Sequence, residues 1–252
     1  MKSELKINKL FEIIKQSNKI VVLTGAGISV PSGIPDFRSA TGIYNNSDKK
    51  QSIPPEEILS YHFFIRNTEQ FYEFYKEKMI YKNAKPNIAH KVLTKLEQLN
   101  KLTGIITQNI DGLDYDSGSK KVYELHGSIK RNYCMKCNSF YDLEYIINSN
   151  NIPKCRLCSG IIKPDVVLYE EPLDYDILDE SINLMQKADT LIVIGTSLRV
   201  NPAASLINLF KGSNFIIINL SSTPYDGYAS LLINDKIEDV FQQLMTKIEE
   251  LF

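Results

Sequence analysis

The chain is short of several features that would direct it elsewhere. It lacks a charge excess: 29 basic against 30 acidic side chains in 252 residues leave a net charge of −1. Proteins that grip nucleic-acid phosphates normally carry a basic surplus, so direct nucleic-acid binding is not expected. No apolar run is long enough to span a bilayer, and no membrane association is expected. The opening stretch MKSELKINKLFEIIKQ carries charges among its apolar positions. Leu5, Leu10, Ile13 and Ile14 recur at helical spacing, which suits an amphipathic helix rather than a signal peptide; the expected location is cytoplasmic. Internal repeats, long linkers and low-complexity tails are missing too. Histidine occurs three times and cysteine four times.

What is present alternates. The runs KIVVLT (19–24), GIIT (104–107), LIVIGT (191–196) and FIIINL (215–220) are near-continuous and rich in β-branched residues. Such runs suit parallel strands covered on both faces. Amphipathic stretches such as AHKVLTKLEQL (89–99) lie between them, which predicts a doubly wound α/β sheet. Ligands in such sheets sit beyond the carboxyl ends of the strands. Here those ends are polar: Thr24-Gly25-Ala26-Gly27, Gln108-Asn109-Ile110-Asp111, Gly195-Thr196-Ser197 and Asn219. A further apolar approach, Val122–Leu125, stops at His126-Gly127. Strand ends that carry amide, carboxylate and imidazole groups point to the rim of a cofactor crevice.

The first of these ends, TGAGISVPSGIPDFR, contains the Gly-x-Gly of a dinucleotide-binding turn, whose glycines let backbone approach a phosphate. Val30 stands where the usual fingerprint has its third glycine, so the motif alone is weak. Arg38 follows the turn, with a guanidinium suited to bidentate contact with phosphate.

The cysteines form two Cys-x-x-Cys pairs, Cys134/Cys137 and Cys155/Cys158. This is a zinc-ribbon spacing and it uses every cysteine in the chain. Four thiolates close a tetrahedral site, so the expected zinc is structural rather than catalytic. In the cytoplasm the disulfide alternative is disfavoured.

In combination these blocks resemble the sirtuins, NAD-dependent protein-lysine deacylases, and look most similar to bacterial deacetylases of that family. The matching stretches are GAGISVPSGIPDFR (25–38), PNIAH (86–90), TQNIDGL (107–113), ELHG (124–127), the paired Cys-x-x-Cys, KPDVVLY (163–169), GTSL (195–198) and Asn219, in the family's order over nearly the whole chain. The resemblance implies a Rossmann-like fold, with NAD and structural zinc as cofactors and acyl-lysine proteins or peptides as partners. It also implies a reaction in which the acyl group passes from lysine to ADP-ribose as nicotinamide leaves. His126 matches the general base, and an imidazole suits that task near neutral pH. Gln108 and Asn109 match residues that hold the ribose; Asp111 and the backbone of Ile110 match the carboxamide contacts. Gly25, Ala26, Gly27, Val30, Phe37 and Arg38 would line the nicotinamide and phosphate side. Gly195, Thr196, Ser197 and Asn219 would hold the adenosine half, with Leu220, Lys236 and Ile237 near the adenine. Val167, Tyr169, Val200 and Asn201 match segments that pair with substrate backbone, a form of strand addition. On this reading residues 1–39, 84–128 and 162–252 form the Rossmann-like domain, 40–83 a helical insertion with a cofactor loop, and 129–161 the zinc module. NAD consumption without deacylation, and a non-enzymatic zinc-ribbon module, are the alternative classes.

The chain departs from the family pattern in three places. Asp114 stands where a histidine is usual, and Glu170 where a glycine is usual. In the insertion, Tyr75 and Lys78 share the spacing of the family's Tyr-x-x-Arg pair for acidic acyl chains. Lysine is a weaker carboxylate grip than arginine's planar fork, so deacetylation is the expected main activity. His90, on an amphipathic stretch, suits a structural hydrogen bond, and His62 has no assigned role.

Overall fold

The computed structural model describes residues 3–37, 39, 42–44 and 53–251. Six of its strands pair in parallel, in the order β3 (Val122–Glu124), β2 (Leu102–Thr107), β1 (Ile20–Thr24), β7 (Thr190–Ile194), β8 (Asn214–Ile218) and β9 (Leu231–Ile233). Every residue of β1 and β7 is buried, as continuous apolar runs at the sheet centre require. Helices α1 (Ser3–Gln16), α5 (Ile88–Gln98) and α9 (Ile237–Leu251) close one face over a core that includes Leu10, Leu93 and Phe241. Helix α8 (Tyr175–Lys187) and a 3-10 helix at Ala203–Leu209 close the other, around Val21, Met185 and Val193. Strand order reverses between β1 and β7, as in a Rossmann-type sheet.

Local capping fixes where α5 begins. The Asn87 carboxamide oxygen accepts from the Ala89 amide at 2.9 Å, and the Asn87 amide donates to Nδ1 of His90 at 3.3 Å. The Asn87 Nδ2 then donates to the Ile28 carbonyl at 2.8 Å and Ser32 Oγ at 2.9 Å, which ties α5 to the glycine turn after β1. His90 is fully buried, and burial pushes its imidazole down to about 4. It acts as a neutral cap for the helix.

A second, antiparallel sheet has the order β5 (Phe140–Tyr141), β4 (Gly127–Cys134), β6 (Ile162–Val166). The domain limits expected from sequence divide this sheet: β4 starts within 84–128 and runs past it, and β6 lies in the segment assigned to the Rossmann-like domain. They leave it because β4 and β6 pair with each other, from Gly127 with Val166 to Cys134 with Ile162. The helical insertion consists of α2 (Pro55–Ile58), α3 (Tyr61–Arg66) and α4 (Thr68–Lys78). It shares one apolar cluster with this sheet, where Phe64, Phe71, Tyr72 and Tyr75 pack with Ile129, Ile146 and Ile162. The insertion and the zinc module are thus a single lobe. Arg38 and most of the expected cofactor loop lie outside the described residues.

Tyr75 belongs to this core. It is fully buried, stacked on Phe71 at 5.5 Å between ring centroids, and its hydroxyl has no hydrogen-bond partner among the described residues. Burying an unsatisfied hydroxyl costs about 1 kcal/mol or more. Tyr75→Phe should therefore raise stability by about 1 kcal/mol in urea unfolding; a loss of stability would show that the hydroxyl is satisfied.

Candidate active site

At the switch point two backbone turns touch. The Gly25 amide donates to the Ile194 carbonyl at 3.0 Å, and the Gly27 amide to the Gly195 carbonyl at 2.8 Å. Gly195 has φ 62°, and a Cβ there would lie 2.4 Å from the Ile28 nitrogen. Glycine is required at 195 on both counts. The turn beyond Gly25 winds as a 3-10 helix over Ala26–Ser32.

The segment after β2 lies beside this turn. Gln108 Nε2 donates to Thr196 Oγ1 at 3.1 Å, which bridges the ends of β2 and β7. Asn109 is buried, and its Nδ2 donates to the Gly25 carbonyl and to Ser29 Oγ, each at 3.2 Å. The Ser29 hydroxyl donates in turn to Asp111 Oδ2 at 2.7 Å, while the Leu113 amide donates to Oδ1 at 2.8 Å. Ser29 is thus the hub that holds Asn109 and Asp111. In the sequence it reads only as a small residue in a glycine turn. Burial raises the Asp111 carboxyl above its ordinary range, with the Leu113 amide, the Ser29 hydroxyl and Lys130 acting against the rise.

His126 ends β3. Its Nδ1 lies 2.9 Å from the Gln108 carbonyl. A carbonyl only accepts, so Nδ1 carries the proton and Nε2 keeps its lone pair. Burial lowers the imidazole below its usual value, partly countered by this bond, and so keeps the ring neutral at pH 7. Gly127, at φ 72°, follows; a Cβ there would stand 1.9 Å from the Asp165 carbonyl oxygen. The imidazole is placed by a turn that admits only glycine next to it.

These groups open onto one cleft of about 1180 Å³, larger than a typical small-molecule site. The glycine turn, Val30, Phe37, Gln108 through Asp111 and His126 line one part of it. Gly195, Thr196, Ser197, Asn219, Leu220, Lys236 and Ile237 line the other. Asn219 is oriented by Nδ2 bonds to the carbonyls of Thr196 at 3.2 Å and Ser221 at 2.8 Å. Val167, Tyr169, Val200 and Asn201 border the same cleft. Both backbone groups of Tyr169 are already engaged by the insertion: its amide donates to the Leu59 carbonyl, and its carbonyl accepts from the Tyr61 amide, each at 3.0 Å. Lys78 lines the cleft and pairs with Glu77 at 2.8 Å. Tyr75, buried in the aromatic core, does not line it, so Tyr75 and Lys78 do not meet there as an acyl-chain grip. The two residues share a helical spacing, but the aromatic cluster takes the tyrosine.

The donor set fits a dinucleotide. Backbone turns that only glycines allow form one wall, neutral amides and hydroxyls line the cleft, and one oriented carboxylate stands beside an imidazole. Gln108, Asn109, Asp111, Ser197 and Asn219 line the cleft and could hold such a molecule.

Behind Asp111 lies a buried acidic group. Asp114 is 3% exposed, and one of its carboxylate oxygens has no partner among the described residues. Burial, with the charges of Asp111 and Glu124, pushes it up to about 7, and a bond from the Thr107 hydroxyl acts in the opposite sense. Glu124 itself is held by Arg131, which spans it at 2.6 Å and Asp165 at 2.7 Å. Unfolded Asp114 would release its proton near the ordinary value of 3.8, but the folded protein keeps it until about 7. Its contribution to stability is therefore present below pH ~4 and lost as pH rises to ~7. Asp114→Asn should raise stability by up to about 4 kcal/mol at pH 8 and by far less at pH 4. Urea unfolding at the two pH values tests this; an equal change at both would contradict it.

The four cysteines converge away from the cleft. Their sulfurs all lie within 4.8 Å of one another, with Cys137–Cys158 at 3.4 Å and Cys134–Cys158 and Cys137–Cys155 at 3.5 Å. A tetrahedral zinc with bonds of about 2.3 Å sets sulfurs roughly 3.8 Å apart, so the cluster fits that ion. One zinc per chain is expected by elemental analysis. Cys155→Ala should lose it and melt at least about 5 °C lower; full zinc content in that variant would contradict the assignment.

The family described as Sir2 matches residues 25–202. The chain is 55% identical over 241 residues to an NAD-dependent protein deacetylase of Clostridium perfringens, covering 95% of this chain and 98% of that one. It is 44% identical over 239 residues to an NAD-dependent protein deacetylase of Staphylococcus epidermidis, covering 95% and 96%. Among solved structures it is similar to a Sir2 complex with a p53 peptide and NAD+, at TM-score 0.86 and 38% identity, covering 99% of this chain and 100% of that one. A Sir2 structure with a propionylated peptide has TM-score 0.85 and 38% identity, covering 97% and 99%.

Proposed function

The chain belongs to the Sir2 family, and from that premise we propose that it removes acetyl groups from protein lysines with NAD as co-substrate, yielding nicotinamide, O-acetyl-ADP-ribose and free lysine. The observation that carries this reading is the single cleft in which Asn109, Asp111 and a neutral His126 meet the glycine turn and the Val167–Tyr169 edge. Bound NAD would supply the electrophilic ribose carbon and the ADP-ribose that accepts the acyl group.

The chain's own residues would then divide the work. The Gln108 carbonyl fixes the His126 tautomer, so Nε2 is the atom that takes a proton from a ribose hydroxyl. Its lowered basicity keeps that lone pair available at neutral pH. Asn109 and Asp111, locked through Ser29, would orient the nicotinamide end; residues held by neighbours lose little freedom on binding. Phe37, half-buried on the cleft, would cover the reactive carbon. Ser197 and Asn219 would hold the adenosine half, with Lys236 an exposed residue at its margin. The Val167–Tyr169 and Val200–Asn201 edges would receive an acyl-lysine peptide.

Among the described residues no helix is long and apolar enough to cross a membrane. Four free thiols that suit a metal favour a reducing compartment, which supports the cytoplasm as the location.

Incubating the protein with an acetyl-lysine peptide, with and without NAD, and identifying products by mass tests the assignment. Deacetylation is expected only with NAD, in step with nicotinamide release. NAD loss without peptide deacetylation would replace it with NAD hydrolysis. His126→Ala should lower turnover at least about a hundredfold, the scale of a general-base contribution, while NAD still shifts the variant's melting temperature. Wild-type turnover in that variant would remove His126 from the mechanism.

A further inference from the structure

Glu170 lines the cleft next to Tyr169 and has φ 79°, a left-handed conformation that glycine accepts and other residues resist. The conformation is held from outside. Its Oε2 accepts the His62 amide at 3.0 Å, and its Oε1 lies 2.6 Å from His62 Nδ1. His62 begins α3, so the carboxylate fastens the substrate edge to the helical insertion. The fastening continues along the backbone, where Ser60 and Tyr169 form a parallel bridge. At the rim, the Tyr44 and Tyr169 hydroxyls lie 3.0 Å apart.

The pair remains open to solvent, with side-chain exposures of 46% for His62 and 50% for Glu170. Its neighbour Glu171 is neutralised by Lys163 at 2.9 Å. Glu170 has no such ammonium or guanidinium partner among the described residues; its side-chain partner is the His62 imidazole. The bonds from His62 hold its carboxyl below the usual range, so it remains ionised. A half-exposed carboxylate thus stands fixed on the wall of the groove where a peptide would lie.

We propose that Glu170, clasped by His62, is a specificity determinant of the deacetylation reaction that favours peptides carrying arginine or lysine beside the acetyl-lysine. The inference rests on the deacetylase reading above. The clasp sets the position of the carboxylate, and the charge supplies the preference. Peptide side chains alternate across an added strand, so one flanking position faces Glu170 and the next does not. The preference should therefore be confined to particular positions.

The test is a set of acetyl-lysine peptides in which each flanking position in turn carries arginine, alanine or glutamate. For wild type, at least one position should favour arginine over glutamate by about two- to fivefold in kcat/KM, the range of an exposed ion pair. The difference should lie in KM and shrink at high salt. Glu170→Gln should abolish the preference at that position, and Glu170→Gly, which relieves the left-handed strain, should abolish it as well. A wild type that deacetylates all peptides without charge preference, or a Glu170→Gln variant that keeps it, would overturn this inference alone. A wild type that deacetylates none of them would overturn the deacetylase reading and this inference with it.

Discussion

The contact between the turn after β1 and the turn after β7 is the constraint on which the rest depends. Gly27 and Gly195 approach until a Cβ on Gly27 would lie 2.6 Å from the Gly195 Cα. That proximity is available only where strand order reverses, and it leaves backbone, not side chain, as the floor of the crevice. Three polar side chains of the cleft hang from this floor: Asn109 on the Gly25 carbonyl, Gln108 on Thr196, Asn219 on the Thr196 carbonyl. A side chain added at either glycine would part the turns and misplace the groups that follow β2 and β8.

Electrostatics imposes the next limit. Asp111, Asp114 and Glu124 all lie in or behind the site, and each carboxyl is raised by burial. Three buried anions would repel one another, and the protein answers differently at each. Glu124 receives Arg131, Asp111 receives neutral donors, and Asp114 retains its proton to about 7. Asp111 thereby borders the cleft with both oxygens fixed by neutral donors, and His126, on the same cleft, stays neutral. Below its titration near 7, the protonated Asp114 carboxyl adds no charge to the cluster.

Much of the architecture was legible in the sequence because burial on two faces leaves a plain signature. The runs at 19–24, 104–107, 191–196 and 215–220 fall on β1, β2, β7 and β8, and the polar residues after them border one cleft. Period and composition do not encode which short strands pair, so β9 went unread and β4 and β6 were divided between two domains. Nor could spacing show that Tyr75 turns toward Phe71, since a tyrosine on a helix is equally suited to a cleft or an aromatic core. The roles of Ser29 and His62 were hidden for a related reason. Their partners, Asp111 and Glu170, are 82 and 108 positions away, and a lone hydroxyl or imidazole carries no local sign of them.

The small lobe and the cleft are coupled more closely than a modular reading suggests. The amide of Val167 donates to the carbonyl of His126 at 3.0 Å, just beyond the β4–β6 pairing that carries Cys134 at its far end. Cys134 and Cys155 are themselves buried in the cluster that holds Phe64 and Tyr72. The metal cluster, the aromatic core and the substrate edge therefore form one continuous packed unit, which reaches the imidazole through a single backbone bond. Packed interiors transmit displacement rather than absorb it. Zinc held by the four cysteines would brace the far end of the β4–β6 pairing, and through it the Val167–Tyr169 edge, without touching the reacting atoms. The Glu170–His62 pair sets the same edge from the other side, against α3. The groove is thus positioned by two clamps, one buried and one open to solvent. Of the two, only the second is exposed enough to read the charge of an incoming peptide.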